Sequence, residues 1–327
     1  MNILFIGYGM LGDHIVCLRS LELLKEKYPQ SIITYVGNPT MVEIGVQYGN
    51  NIIDKVLNIE SCQLKAYTDN QAYHSVFWDA VFEESNLIIN HKMDSNGYFS
   101  KNIRSKGFRW IRKKEPEIKI DATSKILLQD EVKDKSRNAY AQVGELIELI
   151  GLTTKSWQSS LVVNKEKKEE SLNHIFKVFT KNNKRLIAFH PGSSIKEKNY
   201  SLEKWGKVIN NLLSEIDAKL LIFVGPNEKK QIKEITNCFS EESYMIIQKS
   251  LIESISFLSI CDIFLGHDTG FAHIAASLKL PSVLLFGPAS SKIWKPPIRK
   301  TRIIFSDDLS KLEPYEITSF IKNENIL

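Results

Sequence analysis

Residues 262–288 read D-I-F-L-G-H-D-T-G-F-A-H-I-A-A-S-L-K-L-P-S-V-L-L-F-G-P. Two short apolar runs, 263–265 and 282–286, flank a segment from 269 to 280 whose apolar residues recur at helical spacing, so the stretch reads strand, turn, helix, strand. That is a βαβ unit. The turn Gly266-His267-Asp268-Thr269-Gly270 places small or capping residues where the first strand ends. The following helix then starts with backbone N–H groups that have no intrahelical acceptor and face the crevice, an arrangement that attracts phosphate. Asp268 or Thr269 acting only as the helix cap accounts for the turn equally well.

The N-terminus carries a second unit of the same kind. Residues 2–7 (NILFIG) form a buried-strand run, 13–28 an amphipathic helix ended by Pro29, and 31–36 (SIITYV) the next strand. The turn Gly7-Tyr8-Gly9-Met10-Leu11-Gly12 matches G-x-G-x-x-G, the dinucleotide fingerprint. A nicotinamide-dependent oxidoreductase built on Gly7, Gly9 and Gly12 is therefore one reading. It requires an acidic residue at the end of the second strand, where the chain has Tyr35-Val36-Gly37-Asn38-Pro39. Moreover, Asp13 stands in the first helical turn, where a carboxylate repels a pyrophosphate on the same N-terminus. The glycines then serve to turn the backbone tightly and bring an acceptor to the carboxylate, unless Asp13 is simply a helix-start residue.

Further along, a short strand (VLNI) lies within 51–59, helix is expected over 75–82 and strand over 86–90. Residues 95–116 mix aromatic and basic side chains, among them Arg104, Trp110 and Arg112. They read either as a patch for anionic groups or as an amphipathic segment packed inward. A helix follows over 135–152, and the charged stretch 164–170 is the least compact part of the chain. The second half adds the strand 185–189 running into His190-Pro191-Gly192-Ser193-Ser194, a helix over 202–213, the strand 219–224, another at 245–248, and a last helix over 312–321. The expected organisation is α/β: an N-terminal domain 1–160, a C-terminal domain 161–311, and a terminal helix in 312–327 that crosses back to the first domain.

At 327 residues, 43% hydrophobic and 25% charged, the chain suits two globular domains. No apolar run is long enough to cross a bilayer and no leader pattern opens the chain, so a cytoplasmic location is expected. Cys17, Cys62, Cys238 and Cys261 are scattered without ligand spacing, which argues against both a disulfide framework and a zinc site. The net charge of +5 is mild and spread. It gives no support to a nucleic-acid partner and suits peripheral contact with an anionic lipid surface.

The string from Gly266 to Pro288 closely resembles the nucleotide-sugar signature of glycosyltransferase family 9, the heptosyltransferase-like enzymes. Aspartate, hydroxyl residue, glycine, the histidine three further on, Ala-Ala, Pro and Phe-Gly-Pro all stand in place. Three other stretches share the likeness: G-x-L-G-D at Gly9–Asp13, H-P-G-S followed by Lys198-Asn199-Tyr200-Ser201 in place of K-x-W-P, and Gly225-Pro226-Asn227-Glu228. The resemblance implies GT-B architecture, two Rossmann-like domains facing across a cleft, and an inverting transfer of a sugar from a nucleotide-diphosphate donor such as ADP-heptose to a glycan or lipid-linked acceptor. It implies Asp13 as general base, with Gly9 and Gly12 on the acceptor side. Lys198 faces the phosphates, with Lys196 as a rival. Ser193, Ser194, Asp268, Thr269, Gly270 and His273 bind the donor, and Glu228 accepts from its ribose. No D-x-D pair stands at a strand end, so no metal and no cofactor are expected. His267 departs from the usual family residue and leaves the sugar or base preference open, and His273 either faces the phosphates or packs under the strand. A non-catalytic binding protein of the same fold is the remaining alternative.

Overall fold

The computed structural model describes residues 1–48, 52–59, 75–91, 97–115, 118–129, 138–179, 185–193, 195, 198–287, 291–324 and 326. The chain divides into two compact units, Met1–Ser159 and Ser160–Leu327.

Each unit is built on a six-stranded sheet whose pairs are all parallel. The first contains β1 (Asn2–Ile6), β2 (Ile32–Gly37), β3 (Lys55–Asn58), β4 (Leu87–Asn90), β5 (Arg109–Trp110) and β6 (Ile126–Gln129), in the order β3-β2-β1-β4-β6-β5. The second contains β7 (Arg185–His190), β8 (Ala218–Phe223), β9 (Tyr244–Ile247), β10 (Ile263–His267), β11 (Ser282–Phe286) and β12 (Thr301–Phe305), in the order β12-β11-β10-β7-β8-β9. Counted from its own first strand, the second order is the 3-2-1-4-5-6 of dinucleotide-binding α/β domains. Strands buried on both faces must be apolar throughout, which is why NILFI, LIIN, RLIAFH and SVLLF show no alternation. In such sheets ligands bind outside the carboxyl ends of the strands where the order reverses. Those points are β1/β4 in the first unit and β7/β10 in the second.

Helices start where the sequence provides caps. Ser201 caps Leu202–Glu215 by accepting from Lys204 N, and Ser250 with Glu253 makes a reciprocal capping box at Leu251–Leu258. The expected helix over 135–152 spans Ala139–Glu148, started by the Asn138 side chain; residues 135–137 lie outside the described ones. In the aromatic and basic segment, Phe99, Ile103 and Phe108 pack with Trp78 and Phe82 on the face of the sheet that carries Leu4, Ile6, Ile88 and Leu127. The guanidinium groups of Arg104 and Arg112 lie 5.2 and 4.3 Å from the Trp110 ring centre. The apolar side of the segment is therefore core, while Arg104 and Arg112 stack on Trp110 and Lys106 and Arg109 pair with Asp79 and Glu115.

The C-terminal helix, Pro314–Asn323, belongs to the second unit and packs within it. Its buried Ile317 and Ile321 join Trp205, Ile209 and Leu212 in one core, because those three line the matching face of Leu202–Glu215. Lys204 fastens the approach by donating to Ser310 O and Leu312 O. Among the described residues no helix is long and apolar enough to cross a membrane. Ile317→Ala should leave a cavity that costs about 2–5 kcal/mol. Urea unfolding followed by the Trp205 environment should show that loss, and an unchanged midpoint would mean the helix is merely resting on the surface.

Candidate functional site

In the second unit β10 ends with two successive side chains that do different things. His267 is fully buried, and its Nε2 accepts from the Tyr200 backbone N–H at 2.8 Å and from the Trp205 indole N–H at 3.2 Å. An imidazole nitrogen that accepts two N–H bonds carries no proton, so Nδ1 holds the hydrogen and the ring is neutral. Burial agrees, pushing its pKa down to about 3. Asp268, next in the chain, holds Lys198 Nζ at 2.7 Å. Both partners are largely withdrawn from water, with side chains 18% and 7% exposed. Tyr200, held by His267, lies two residues beyond Lys198, held by Asp268. One strand end therefore ties down both ends of a short loop.

Thr269 starts the helix Gly270–Ser277 in an extended conformation. Ala272 N and His273 N donate to its carbonyl at 3.0 and 3.3 Å, which leaves Gly270 and Phe271 as the N–H groups facing outward. The Thr269 hydroxyl does not cap: Oγ1 is buried with no hydrogen-bond partner among the described residues. Gly270 has no side chain to cover the helix start. His273 Nε2 is 3.9 Å from Asp268 Oδ1, too long for a hydrogen bond, and burial holds its pKa down to about 4. It is a neutral imidazole edged by Trp294 at 6.0 Å. Lys198, Asp268, Thr269, Gly270 and His273 are thus gathered at one helix start, where a cation, backbone N–H groups and an unpartnered hydroxyl suit an anion.

Glu228 lies at the same sheet edge, past the end of β8, two strands over from β10. It is buried, and Oε2 accepts from Gly225 N at 2.9 Å. A Cβ on Gly192 would sit 2.5 Å from Oε1, and one on Gly225 would sit 2.9 Å from Oε2. Two glycines therefore leave the carboxylate its slot. Beside it, His190 Nδ1 donates to Phe223 O at 2.9 Å and the ring packs on Phe271 at 4.7 Å. Burial lowers the His190 pKa, with Glu228 opposing. Ser193 Oγ bonds Ile195 O at 2.7 Å, so this hydroxyl is committed to its own loop. Ser194 and Lys196 lie outside the described residues.

In the first unit the glycine turn at the end of β1 is shaped by two side chains. The Tyr35 hydroxyl lies 2.0 Å from where a Cβ on Gly7 would be, and it meets His14 Nδ1 at 2.9 Å. Gly9 has φ +104°, and a Cβ there would lie 2.3 Å from Asp13 Oδ2. Asp13 Oδ2 accepts the Met10 N–H at 2.7 Å, across the start of the helix Leu11–Lys27. Gly12 lies in the first turn of that helix. The carboxylate therefore occupies the place over Gly9 that a pyrophosphate needs, which disfavours a dinucleotide there.

A model of glycosyltransferase family 9 (heptosyltransferase) matches residues 115–323. The chain belongs to that family. Lipopolysaccharide heptosyltransferase 1 of Campylobacter coli is 32% identical over 126 residues, which cover 36% of this chain and 36% of that protein. The chain thus matches about a third of the length of such curated relatives. The fold likeness is broader. The family 9 glycosyl transferase of Veillonella parvula superposes with a TM-score of 0.76 at 16% identity over 98% of this chain and 96% of that one. The E. coli ADP-heptose lps heptosyltransferase II gives 0.71 at 16% over 99% and 98%. This family 9 chain thus shares the GT-B fold class of two parallel-sheet α/β domains. At one departure from the family strings, His267 accepts the Tyr200 backbone N–H and the Trp205 indole N–H, so it supports this loop.

Sequence reasoning missed two partners, Trp205 as the second donor to His267 and Gly192 as the wall of the Glu228 slot. The helix period around 205 and the H-P-G string were the available signals. Buried neutral histidines make stability pH-dependent. His14 and His273 are held down to about 4, and His91 and His267 to about 3, all by burial. As pH falls below the unfolded value near 6.5, the unfolded chain takes up protons that the folded chain does not. Each such histidine then removes about 1.4 kcal/mol of stability per pH unit until its folded pKa is reached. Urea midpoints should fall clearly between pH 7 and pH 5, and a flat profile would contradict the burial.

Proposed function

We propose that the chain is an inverting glycosyltransferase that moves heptose from ADP-heptose, or a closely related nucleotide sugar, to a hydroxyl of a lipopolysaccharide or lipooligosaccharide core acceptor. The observation that carries the reading is the buried Lys198–Asp268 pair at a helix start whose Thr269 hydroxyl has no partner among the described residues. Support comes from the names of the relatives: a lipopolysaccharide heptosyltransferase in C. coli, a lipooligosaccharide heptosyltransferase in Campylobacter jejuni, and an E. coli protein named for ADP-heptose.

In this reading the diphosphate rests on the N–H groups of Gly270 and Phe271 and on Thr269 Oγ1, with Lys198 Nζ beside it. Glu228 accepts from the ribose, and neutral His273 offers a single N–H. The acceptor oxygen attacks the anomeric carbon, its proton passes to the Asp13 carboxylate, and the carbon–oxygen bond to the diphosphate breaks with its electron pair leaving on the phosphate. Inversion follows from a single displacement. Charge that grows on the leaving diphosphate is met by Lys198 and the helix start, groups already in place before the reaction. Ser193 contributes backbone rather than hydroxyl. A cytoplasmic enzyme touching the inner membrane at its periphery fits a lipid-linked acceptor and the modest basic excess.

Asp13→Asn keeps an oxygen to accept the Met10 N–H, so the helix start survives while the basicity is lost. Turnover should fall by roughly 100-fold or more with donor affinity nearly unchanged. Asp268→Ala should instead weaken ADP-heptose binding, because Lys198 loses its anchor. Calorimetric titration and initial rates on both variants check this, and full turnover by Asp13→Asn would remove Asp13 as the base.

A further inference from the structure

At the carboxyl edge of the first sheet three strands end side by side. Ile6 on β1 pairs in register with Asn90 on β4, and Asn90 with Gln129 on β6. Side chains alternate along a strand, so Asn90 follows Ile88 and Gln129 follows Leu127 onto the same face, the one covered by Trp78, Phe82, Phe99 and Ile103. The last row of this apolar face therefore turns polar in two of its three strands, and both residues are nearly fully buried, Asn90 at 2% and Gln129 at 3% exposure.

Gln129 is the informative one. Neither Oε1 nor Nε2 has a hydrogen-bond partner among the described residues. A buried amide with both ends unmatched is costly, and native proteins rarely keep one without a ligand, a water or a function that uses it. An ordinary core would continue Ile88 and Leu127 with further aliphatic residues beside Ile6. Beside the row, Tyr8 is half-buried against the same cluster, and Gly9 and Met10 beyond it are exposed, so the row runs toward the Asp13 turn. Two strand spacings separate β1 from β6, roughly 10 Å, enough for a reacting sugar ring and a neighbour.

We propose that the carboxyl ends of β4 and β6 form a saccharide subsite in which the Gln129 amide donates to one ring hydroxyl of the acceptor and accepts from the adjacent one. An amide offers a donor and an acceptor side by side, and a vicinal diol offers the same pair in complement. Phosphate or carboxylate would use only the donor half. The inference rests on the glycosyl-transfer reading, and it adds a specificity-determining residue to it. A site built to bond hydroxyls discriminates strongly against analogues lacking them, because its polar atoms are then left unpaired.

The test uses the full chain with Gln129→Met, which keeps length and removes the amide, and Gln129→Leu as the second variant. The donor is ADP-heptose, and the acceptor is a lipopolysaccharide core oligosaccharide freed of fatty acids and truncated by one sugar. Relief of the unpaired amide should raise the thermal midpoint by about 2–4 °C. Acceptor KM should rise about tenfold in both variants, with the ADP-heptose dissociation constant within twofold of wild type. An acceptor KM that changes less than threefold, whatever the midpoint does, overturns the subsite. Absence of transfer by the wild-type chain overturns the glycosyl-transfer reading itself, and the subsite with it.

Discussion

A neutral imidazole with two N–H groups pointed at one nitrogen holds the second unit's site together. His267 Nε2 takes the Tyr200 amide and the Trp205 indole in a region where no water competes. In such surroundings an unmatched donor is expensive, so backbone and indole are both held to the ring. The adjacent residue, Asp268, then meets Lys198, two positions before Tyr200. The loop thus cannot shift its lysine without breaking bonds at the strand end. Protonation of His267 would convert the shared acceptor into a third donor, and burial works against that by keeping the ring neutral.

The same loop carries the load of the C-terminal helix. Tyr200 hydroxyl donates to Leu312 O, Lys204 donates to Leu312 O and Ser310 O, and Ile317 and Ile321 close over Trp205 and Ile209. A terminal element that looks peripheral along the chain is coupled through Tyr200 and Trp205 to the histidine that fixes Lys198. Glu228 is held in a different way, by absence: Gly192 and Gly225 leave room that any side chain would take.

The strands were legible because parallel strands buried on both faces must be continuous apolar runs, and 2–7, 185–189, 219–224 and 282–286 are such runs. The positions of Asp13 and Asp268 were legible from the glycine turns that precede or surround them. His267 was not, since a histidine before an aspartate at a strand end reads as site chemistry until its burial and its two donors are known. The C-terminal helix was legible as a helix, while its amphipathic face specifies that something apolar covers it and not which element does. Gln129 was invisible, because one polar residue closing the run ILLQ resembles any strand end.

The two units place opposite electrostatics on one piece of architecture. In each, a strand ends at the reversal of strand order and a helix begins nearby with its backbone N–H groups outward. In the first unit that start is answered from within: Asp13 accepts Met10 N–H and lies against Gly9, so the positive end of the helix faces a fixed carboxylate. In the second the start is left open, with Thr269 Oγ1 unpartnered among the described residues, Gly270 uncovered and a lysine brought alongside by its neighbour aspartate. A carboxylate held by a helix N–H neutralises that start and keeps a second anion away. An open start beside a cation invites an anion. Whether the first turn of the helix carries an acid thus decides which of two like-built starts is left open.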